Sequence, residues 1–382
     1  MILLALKMLI GDKGKYVGIV LGICFATFLI TQQGGIFLGM TSRAYRILTN
    51  TPNGNVWVMN PYTREVSQPG KIKHFILERI RGVSGVEWAS PLIIQIVTVR
   101  LHDGTNVSCE LVAVDDETLV GAPQKMLDGQ VSDLDLPNAV IVDYLGSIDF
   151  LAKPTPHGKI PLKTGDWFEL NDHYAQAVGI AKTTVPFFNF PILFTTISRM
   201  HTFFPLDPNQ SSFVVVNGKP GEDPKILAER IEAITGFRAL TRAEMRWRFI
   251  KDFVSGGILV NFGATVGFGF FLGVFIVGML FYNFTMENLR YFAVLKAMGA
   301  TKRLLASMII FQALSVGILG FGLGVGLACL AGFFTSEYVL AFKLPWQLLV
   351  FSGGAVFCIC LLSAAISVSK VMRLEPAQVF RG

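Results

Sequence analysis

One short segment of the chain, residues 287–303, concentrates charge between two long apolar runs and reads ENLRYFAVLKAMGATKR. Its charged side chains are Glu287, Arg290, Lys296, Lys302 and Arg303. Basic groups beside apolar ones can fix a loop on the positively charged side of a membrane, or they can bind the acidic surface of a second protein. The segment is therefore either a topological anchor or a docking site.

Catalytic and metal-binding motifs are scarce in the rest of the sequence. A G-x-x-x-x-G-K-[ST] phosphate loop is missing, because GDKGK at 11–15 has the wrong spacing, and H-E-x-x-H, C-x-x-C and G-x-S-x-G do not occur. The five histidines lack the spacing of metal ligands. The sequence therefore predicts a non-catalytic chain with no metal site and no cofactor of its own.

The composition indicates a membrane protein. Hydrophobic residues make up 52% of the 382 residues and charged residues only 16%, which is too apolar for a wholly soluble chain. Four uncharged runs each exceed the roughly 20 residues that cross about 30 Å of hydrocarbon as a helix. These runs are Tyr16–Ser42, Phe253–Met286, Leu304–Ser336 and Leu344–Ser369.

The distribution of charge predicts the orientation. Residues 43–252 contain 22 Lys and Arg against 23 Asp and Glu, a net charge of −1, so the excess of +6 comes from the short segments around the spans. Basic residues favour the cytoplasmic side. Both termini and residues 287–303 are therefore expected in the cytoplasm, with residues 43–252 outside, and nucleic-acid binding is not predicted.

The predicted fold class is an α-helical membrane protein with four transmembrane helices and a large α+β extracytoplasmic domain inserted between helices 1 and 2. The expected divisions are 1–42 for an N-terminal interfacial segment and the first span, 43–252 for the outer domain with stalk ends, and 253–382 for the remaining spans and the loop. Residues 1–15 form either an interfacial helix or an early start of the first span.

Alternating patterns and turn signals predict the elements of the outer domain. Asp103-Gly104 predicts a hairpin turn. Residues 242–251 are expected to run as a stalk directly into the second span, and the Phe-rich stretch 183–205 is either core or an apolar surface for lipid or a partner. Predicted strands are Val56–Met59, Ile93–Leu101, Val107–Ala113, Ala139–Val142, Ala175–Ala181 and Ser212–Val216, and predicted helices are Ile72–Arg81 and Pro224–Thr235, the latter capped by Asp223.

Small residues are abundant in the spans, whereas ionisable side chains near their middles are missing. Charged groups inside a bilayer usually mark ion or proton pathways, so an ion-coupled transporter is not indicated. Glycines four residues apart allow helices to approach closely. The predicted packing glycines are Gly263, Gly267, Gly269, Gly273, Gly320 and Gly324, with further pairs at Gly18 and Gly22 and at Gly322 and Gly326.

The loop and the order of spans resemble the FtsX-like, or MacB-type, permeases of ABC transporters, a superfamily that includes macrolide and lipoprotein-releasing permeases. ENLRYFAVLKAMGAT is similar to the family pattern E-R-x-x-E-I-A-x-L-R-A-I-G-A-T, and RLEPAQVFRG at 373–382 is similar to its R-x-x-P-x-x-A-L-R ending. The chain departs from the pattern at Tyr291, where the family has glutamate. The matching residues are Glu287, Arg290, Ala293, Leu295, Lys296, Ala297, Gly299, Ala300 and Thr301.

The resemblance implies a permease subunit in the bacterial inner membrane that exports a lipid or amphiphile by a mechanical route. A separate ABC ATPase subunit would bind ATP and Mg, a second permease copy would complete a homodimer, and a membrane-fusion adaptor and outer-membrane channel would complete the path. The loop would be the ATPase-coupling segment, with Phe292, Leu295, Ala297 and Met298 as an apolar face, Lys296, Lys302 and Arg303 as cations, and Gly299, Ala300 and Thr301 at its end.

Within the superfamily, LLALKMLIGDKGKYVGIVLGICFATFLI and NVWVMNP are most similar to the DevC-like permeases of heterocyst-glycolipid export. Two alternatives remain. The same fold can act by mechanotransmission on an outer partner such as a cell-wall hydrolase, without transport. A membrane sensor or scaffold without an ATPase is the other.

Overall fold

The computed structural model describes residues 2–101, 103–156, 158–184, 190–204, 210–335 and 341–372. The chain divides into two compact units, which we call the membrane unit (residues 1–40 and 257–382) and the outer unit (residues 41–256). In chain order the helices are α1 (Ile2–Gly11), α2 (Lys13–Ala44), α3 (Arg46–Asn50), α4 (His74–Arg81), α5 (Ile197–Phe203), α6 (Pro224–Thr235), α7 (Arg242–Phe253), α8 (Leu259–Glu287), α9 (Leu289–Ala297), α10 (Lys302–Thr335) and α11 (Trp346–Met372).

The strands belong to the outer unit. They are β1 (Val56–Met59), β2 (Ile72–Lys73), β3 (Val86–Arg100), β4 (Asn106–Val114), β5 (Met126–Asp128), β6 (Ala139–Asp143), β7 (Lys153–Thr155), β8 (Gly158–Ile160), β9 (Trp167–Leu170), β10 (His173–Ala181), β11 (Ile192–Thr196), β12 (Gln210–Ser211), β13 (Phe213–Gly218) and β14 (Arg238–Thr241).

Four stretches in the described residues are long and apolar enough to cross a membrane: Lys13–Ala44, Arg242–Glu287, Lys302–Phe334 and Trp346–Met372. The second stretch is interrupted at Gly257, and its apolar part is α8. The four spans predicted from uncharged runs are thereby confirmed. In the membrane unit, their inner sides share one core, to which α2 contributes Ile19, Ile23 and Ile30 and α8 contributes Phe281 and Phe284.

The first residues form a helix of their own. A bend at Asp12 separates α1 from α2, and Lys15 donates to Asp12 through both its backbone nitrogen, at 3.3 Å, and its ammonium, at 2.9 Å. Ala5 and Leu9 are fully buried, and the Gln312 amide donates to the Ala5 carbonyl at 2.7 Å. Residues 2–11 are thus a separate helix packed on α10, and the early start of the first span does not occur.

The outer unit is built on one mixed sheet with the order β14-β1-β13-β3-β4-β11-β6-β10-β5. The strand β9 pairs with both β10 and β3, so the path β3-β4-β11-β6-β10-β9 returns to its first strand. Strands in a closed ring have no free edge. Val99, Cys109, Leu111 and Leu193 lie fully buried in the core of this ring.

The other end of the sheet carries helices. Buried side chains of β1, β3 and β13 form one core with α4 and α6. The helix α6 spans the predicted residues and begins as expected, because the Asp223 carboxylate accepts from the Lys225 backbone nitrogen at 2.8 Å. It ends at Gly236, whose φ of 72° is left-handed.

Each predicted strand overlaps an observed strand, although β3 begins at Val86, seven residues before the predicted Ile93. The strands β3 and β4 pair in an antiparallel hairpin around Gly104, which has a φ of 82°. Three expectations need correction or restriction. Ile72 and Lys73 form β2, so the helix there begins at His74. The second stalk does not enter its span as continuous helix, because Gly257 has a φ of 82°. Phe187 and Phe188 lie outside the described residues, whereas Phe194 and Phe203 are core.

A buried carboxylate closes the turn after β6. Asp143 is 1% exposed, and its oxygens accept from the backbone nitrogens of Leu145 at 3.1 Å, Gly146 at 3.2 Å and Ile192 at 2.6 Å. Burial raises its pKa from 3.8 to about 6, although these hydrogen bonds oppose the rise. Folding of the outer unit therefore favours the protonated form of this carboxyl relative to the unfolded chain.

We expect this carboxylate to give the outer unit a pH-dependent stability. Its folded pKa is above its unfolded pKa, so its contribution is complete below pH about 4 and is lost as the pH rises through about 6, a change of about 3 kcal/mol at most. Thermal unfolding followed by tryptophan fluorescence between these values should show this fall, and Asp143→Asn should remove it. Parallel pH profiles for the two proteins would refute the assignment.

Candidate functional site

The short helix α9 is held by one buried side. Phe292 and Ala293 are fully buried, Phe292 within the core that also contains Phe281 and Phe284, and Leu295 packs against that core. At the junction with α8, the Asn288 amide donates to the Phe284 carbonyl at 2.8 Å. A nine-residue helix is marginal in isolation, so these tertiary contacts fix it in place.

The opposite side of α9 presents an exposed apolar row. Tyr291 is 62% exposed, Val294 40% and Met298 78%, and their spacing of three and four residues places them on one helix face. We call these three residues the α9 row. The apolar face expected from the sequence included Phe292 and Leu295, and this needs correction, because both point into the bundle. Ala297 and Met298 are exposed as expected.

Gly299, Ala300 and Thr301 make the turn from α9 into α10. Gly299 has a φ of 95°, its nitrogen donates to the Lys296 carbonyl at 3.1 Å, and the Ala300 nitrogen donates to the Leu295 carbonyl at 3.0 Å. This pair of bonds is a Schellman motif, which favours glycine at the left-handed position. Thr301 then accepts from the Leu304 nitrogen at 3.3 Å and so caps α10.

Four of the five charged side chains of the segment divide into two groups, and the fifth, Lys296, is half-buried. Glu287 forms an ion pair with Lys15, which also pairs with Asp12, and this links the start of α2 to the end of α8. Exposed pairs of this kind contribute little free energy, so their role is positional. Arg290, Lys302 and Arg303 are exposed around the α9 row.

The packing glycines fall into two environments. A Cβ added at Gly273 would lie 2.8 Å from that of Ala26, and one at Gly320 would lie 2.6 Å from that of Ile23, so α8 and α10 both approach α2 closely. Gly269 and Gly324 lie on the same faces. A Cβ at Gly263, Gly267, Gly322 or Gly326 would meet no atom of the described residues within 4 Å.

One set of glycines was not recognised from the sequence as a packing surface. A Cβ at Gly39 would lie 2.1 Å from the Ala341 carbonyl oxygen, and one at Gly35 would lie 2.2 Å from the Phe342 ring. The Phe342 ring also lies against Gly332. The signal was present as a further G-x-x-x-G pair in the first span, but its partner is an irregular segment that periodicity does not reveal.

Comparison with protein families gives the class of protein. A model described as the MacB-like periplasmic core domain matches residues 17–234, more than half of the chain, and one described as the FtsX-like permease C-terminal matches residues 263–376. The chain is a multi-pass membrane protein of the ABC transporter permease class. It belongs to the MacB/FtsX-like permease family, whose subunits are generally non-catalytic and typically work with an ATPase partner.

Two of the solved structures that are similar to this chain are outer domains. The extracellular domain of the ABC-type transporter YknZ from Gram-positive bacteria is 16% identical, with 49% of this chain and 100% of that chain covered and a TM-score of 0.36. The periplasmic region of MacB from Actinobacillus actinomycetemcomitans is 12% identical, with 52% and 94% covered and a TM-score of 0.39. The similarity to the DevC-like group stays a prediction.

We expect Gly299→Val to unfold the last turn of α9. A β-branched residue at a φ of 95° is strained, at a cost of about 1–2 kcal/mol. Hydrogen exchange should lose protection at the Gly299 and Ala300 amides, while insertion into the membrane is unchanged. The control is Gly354→Val, because Gly354 is helical with open space around it. Equal protection in the Gly299 variant and the parent would contradict the assigned turn.

Gly324→Val should destabilise the membrane unit, since its Cβ would lie 2.5 Å from Thr27 Cβ and 2.6 Å from the Cys24 carbonyl oxygen. Overpacking of this kind costs about 1–3 kcal/mol. Gly322→Val, two residues away with open space, is the matched control. Thermal unfolding in one detergent should separate the two variants, and equal midpoints would show that the α10–α2 contact is not close.

Proposed function

We propose that this chain is the permease subunit of an ABC exporter in the bacterial inner membrane, with both termini in the cytoplasm. A separate ATPase subunit hydrolyses ATP, and α9 passes its movement to the outer unit. The substrate is a lipid or amphiphile that is handled on the outer side with a periplasmic adaptor. One observation carries this proposal: one side of α9 is buried in the bundle and the opposite side is exposed.

The buried side of α9 supports transmission of force. Phe292 belongs to the buried core of the membrane unit, together with side chains of α2, α8 and α10, and Ala293 is fully buried, so a push on α9 acts directly on the bundle and is not absorbed by a loose loop. Protein interiors are close-packed and transmit displacement. A segment that served only as a charged anchor would not require this burial.

The exposed side of α9 supports docking of a protein. Tyr291, Val294 and Met298 leave apolar area in water, and burial of such area stabilises a complex by about 25 cal/mol per Å². Amphipathic helices commonly dock with their apolar face in a groove. The exposed cations Arg290, Lys302 and Arg303 favour a groove with an acidic rim.

The other features of the proposal rest on the spans. Their uncharged middles favour export without a polar channel. The open glycines Gly263 and Gly267 on α8 leave a face on which the helix of a second permease copy can approach closely, which supports a homodimer.

The test is purification of the tagged chain from its native membranes in mild detergent, followed by an ATPase assay. We expect an ABC ATPase to co-purify. Conversion of the three residues of the α9 row to serine should lower the recovery of the ATPase at least about tenfold, because loss of each central apolar contact costs about 1 kcal/mol or more. Phe75→Ser with Ile226→Ser is the control, since both are similarly exposed in the outer unit.

Recovery of the ATPase with the serine variant would contradict the docking role of α9. Absence of any ATPase from the parent preparation in several detergents would contradict the exporter itself. A co-purifying adaptor supports export, whereas a co-purifying cell-wall hydrolase would replace export by mechanotransmission.

A further inference from the structure

Several polar contacts join the two ends of the outer unit. One end is α3, which follows the first span, and the other is α7, which precedes the second. Ile47 and Leu48 of α3 share a buried core with Met245 and Phe249 of α7. Apolar packing brings the two ends together, and a set of directional hydrogen bonds then fixes their register.

Arg242, the first residue of α7, is the centre of that set. One guanidinium nitrogen donates to the carbonyls of Thr51 and Pro52, each at 2.9 Å, and the other donates to the carbonyl of Leu48. These are carbonyls at and just beyond the end of α3, where the helix leaves them without partners. A cation there is also favoured by the helix dipole.

The arginine is itself held in position. Its backbone nitrogen donates to the Asn55 carbonyl at 3.0 Å. The preceding Thr241 forms a capping box with Glu244, in which the Thr241 nitrogen donates to the Glu244 carboxylate at 2.9 Å. The first residues of α7 are therefore held in a fixed conformation where Arg242 donates its hydrogen bonds to α3.

Neighbouring contacts fasten α3 on its other sides. Arg46 forms an ion pair with Glu110 of β4, and both side chains are largely buried. The Asn50 amide exchanges two hydrogen bonds with the backbone of Thr184, at 3.2 and 3.1 Å. The Arg246 guanidinium lies 4.6 Å from the centre of the Tyr45 ring. Movement of α3 relative to α7 or the sheet would break several of these contacts together.

We propose that Arg242 is a positioning residue that acts as a clamp. It holds together α3 and α7, the two ends of the outer unit that lead to the membrane spans, so that the outer unit moves as one body. A displacement that arrives through either span then acts on the whole outer unit, instead of sliding α3 past α7. This inference rests on the proposed function for its role in coupling. The clamp itself is a property of the outer unit and can be tested without an ATPase.

The first test measures the clamp in the full chain. Spin labels at cysteines replacing the exposed Thr49 and Trp247 report the distance between α3 and α7, after the exposed Cys329 and Cys358 are changed to serine. We expect a single narrow distance distribution, which broadens with Arg242→Met and broadens less with Arg242→Lys, because one ammonium cannot span the three carbonyls. Arg238→Met, at an exposed position on β14, is the control and should leave the width unchanged.

The second test measures coupling in the complex with its ATPase. Arg242→Met should keep the ATPase bound and hydrolysing ATP, while the change in distance between the membrane unit and the outer unit that accompanies ATP binding is lost. Labels at the exposed Trp346 of the membrane unit and the exposed Trp167 of the outer unit report that shift. Arg242→Lys should recover part of it, which a merely destabilised variant would not do.

The possible outcomes distinguish the clamp itself from its role in coupling. Equal distribution widths for Arg242→Met and the parent would overturn the clamp, whatever the ATPase does. A broadened distribution with an intact ATP-dependent shift would overturn its role in coupling. A broadened distribution in a chain that binds no ATPase would leave the clamp supported and would count against the proposed function alone.

Discussion

The burial of Phe292 is the contact on which the account of this permease depends. A short helix such as α9 has little stability of its own, and one aromatic ring inside the bundle gives it a fixed orientation. That orientation determines which residues face outwards. Because Phe292 and Ala293 point inwards, the helix period places Tyr291, Val294 and Met298 on the outer side. The turn at Gly299 then allows α10 to begin while α9 keeps its packed position.

The sequence was most informative where one strong signal outweighs all others. An uncharged run longer than a bilayer predicts a span almost alone, and all four spans were found. The Asp103-Gly104 turn between alternating runs correctly predicted the β3–β4 hairpin, and Asp223 before Pro224 correctly predicted the start of α6. In each case the decisive interaction is local, so the neighbouring residues contain the required information.

Features set by distant packing were not predictable in the same way. The sequence shows that α9 is partly apolar, but Phe292 and Tyr291 are both aromatic, and only the packing of α9 on α8 decides which of them is buried. Gly320 and Gly322 have the same type and the same G-x-x-x-G spacing, yet one touches Ile23 and the other faces open space. The hydrogen bonds from Arg242 to the end of α3 join residues about 190 positions apart, and no sequence motif indicates them.

The most direct measurement of the central claim is site-specific photocrosslinking from α9 in native membranes. A photoreactive phenylalanine derivative would replace Tyr291, Val294 or Phe292 in turn. We expect an adduct with an ABC ATPase subunit from positions 291 and 294, and none from position 292, which is buried against the bundle. Adducts from position 292 but not from 291 or 294, or adducts only with lipid, would contradict the assignment of α9 as the segment that binds the ATPase.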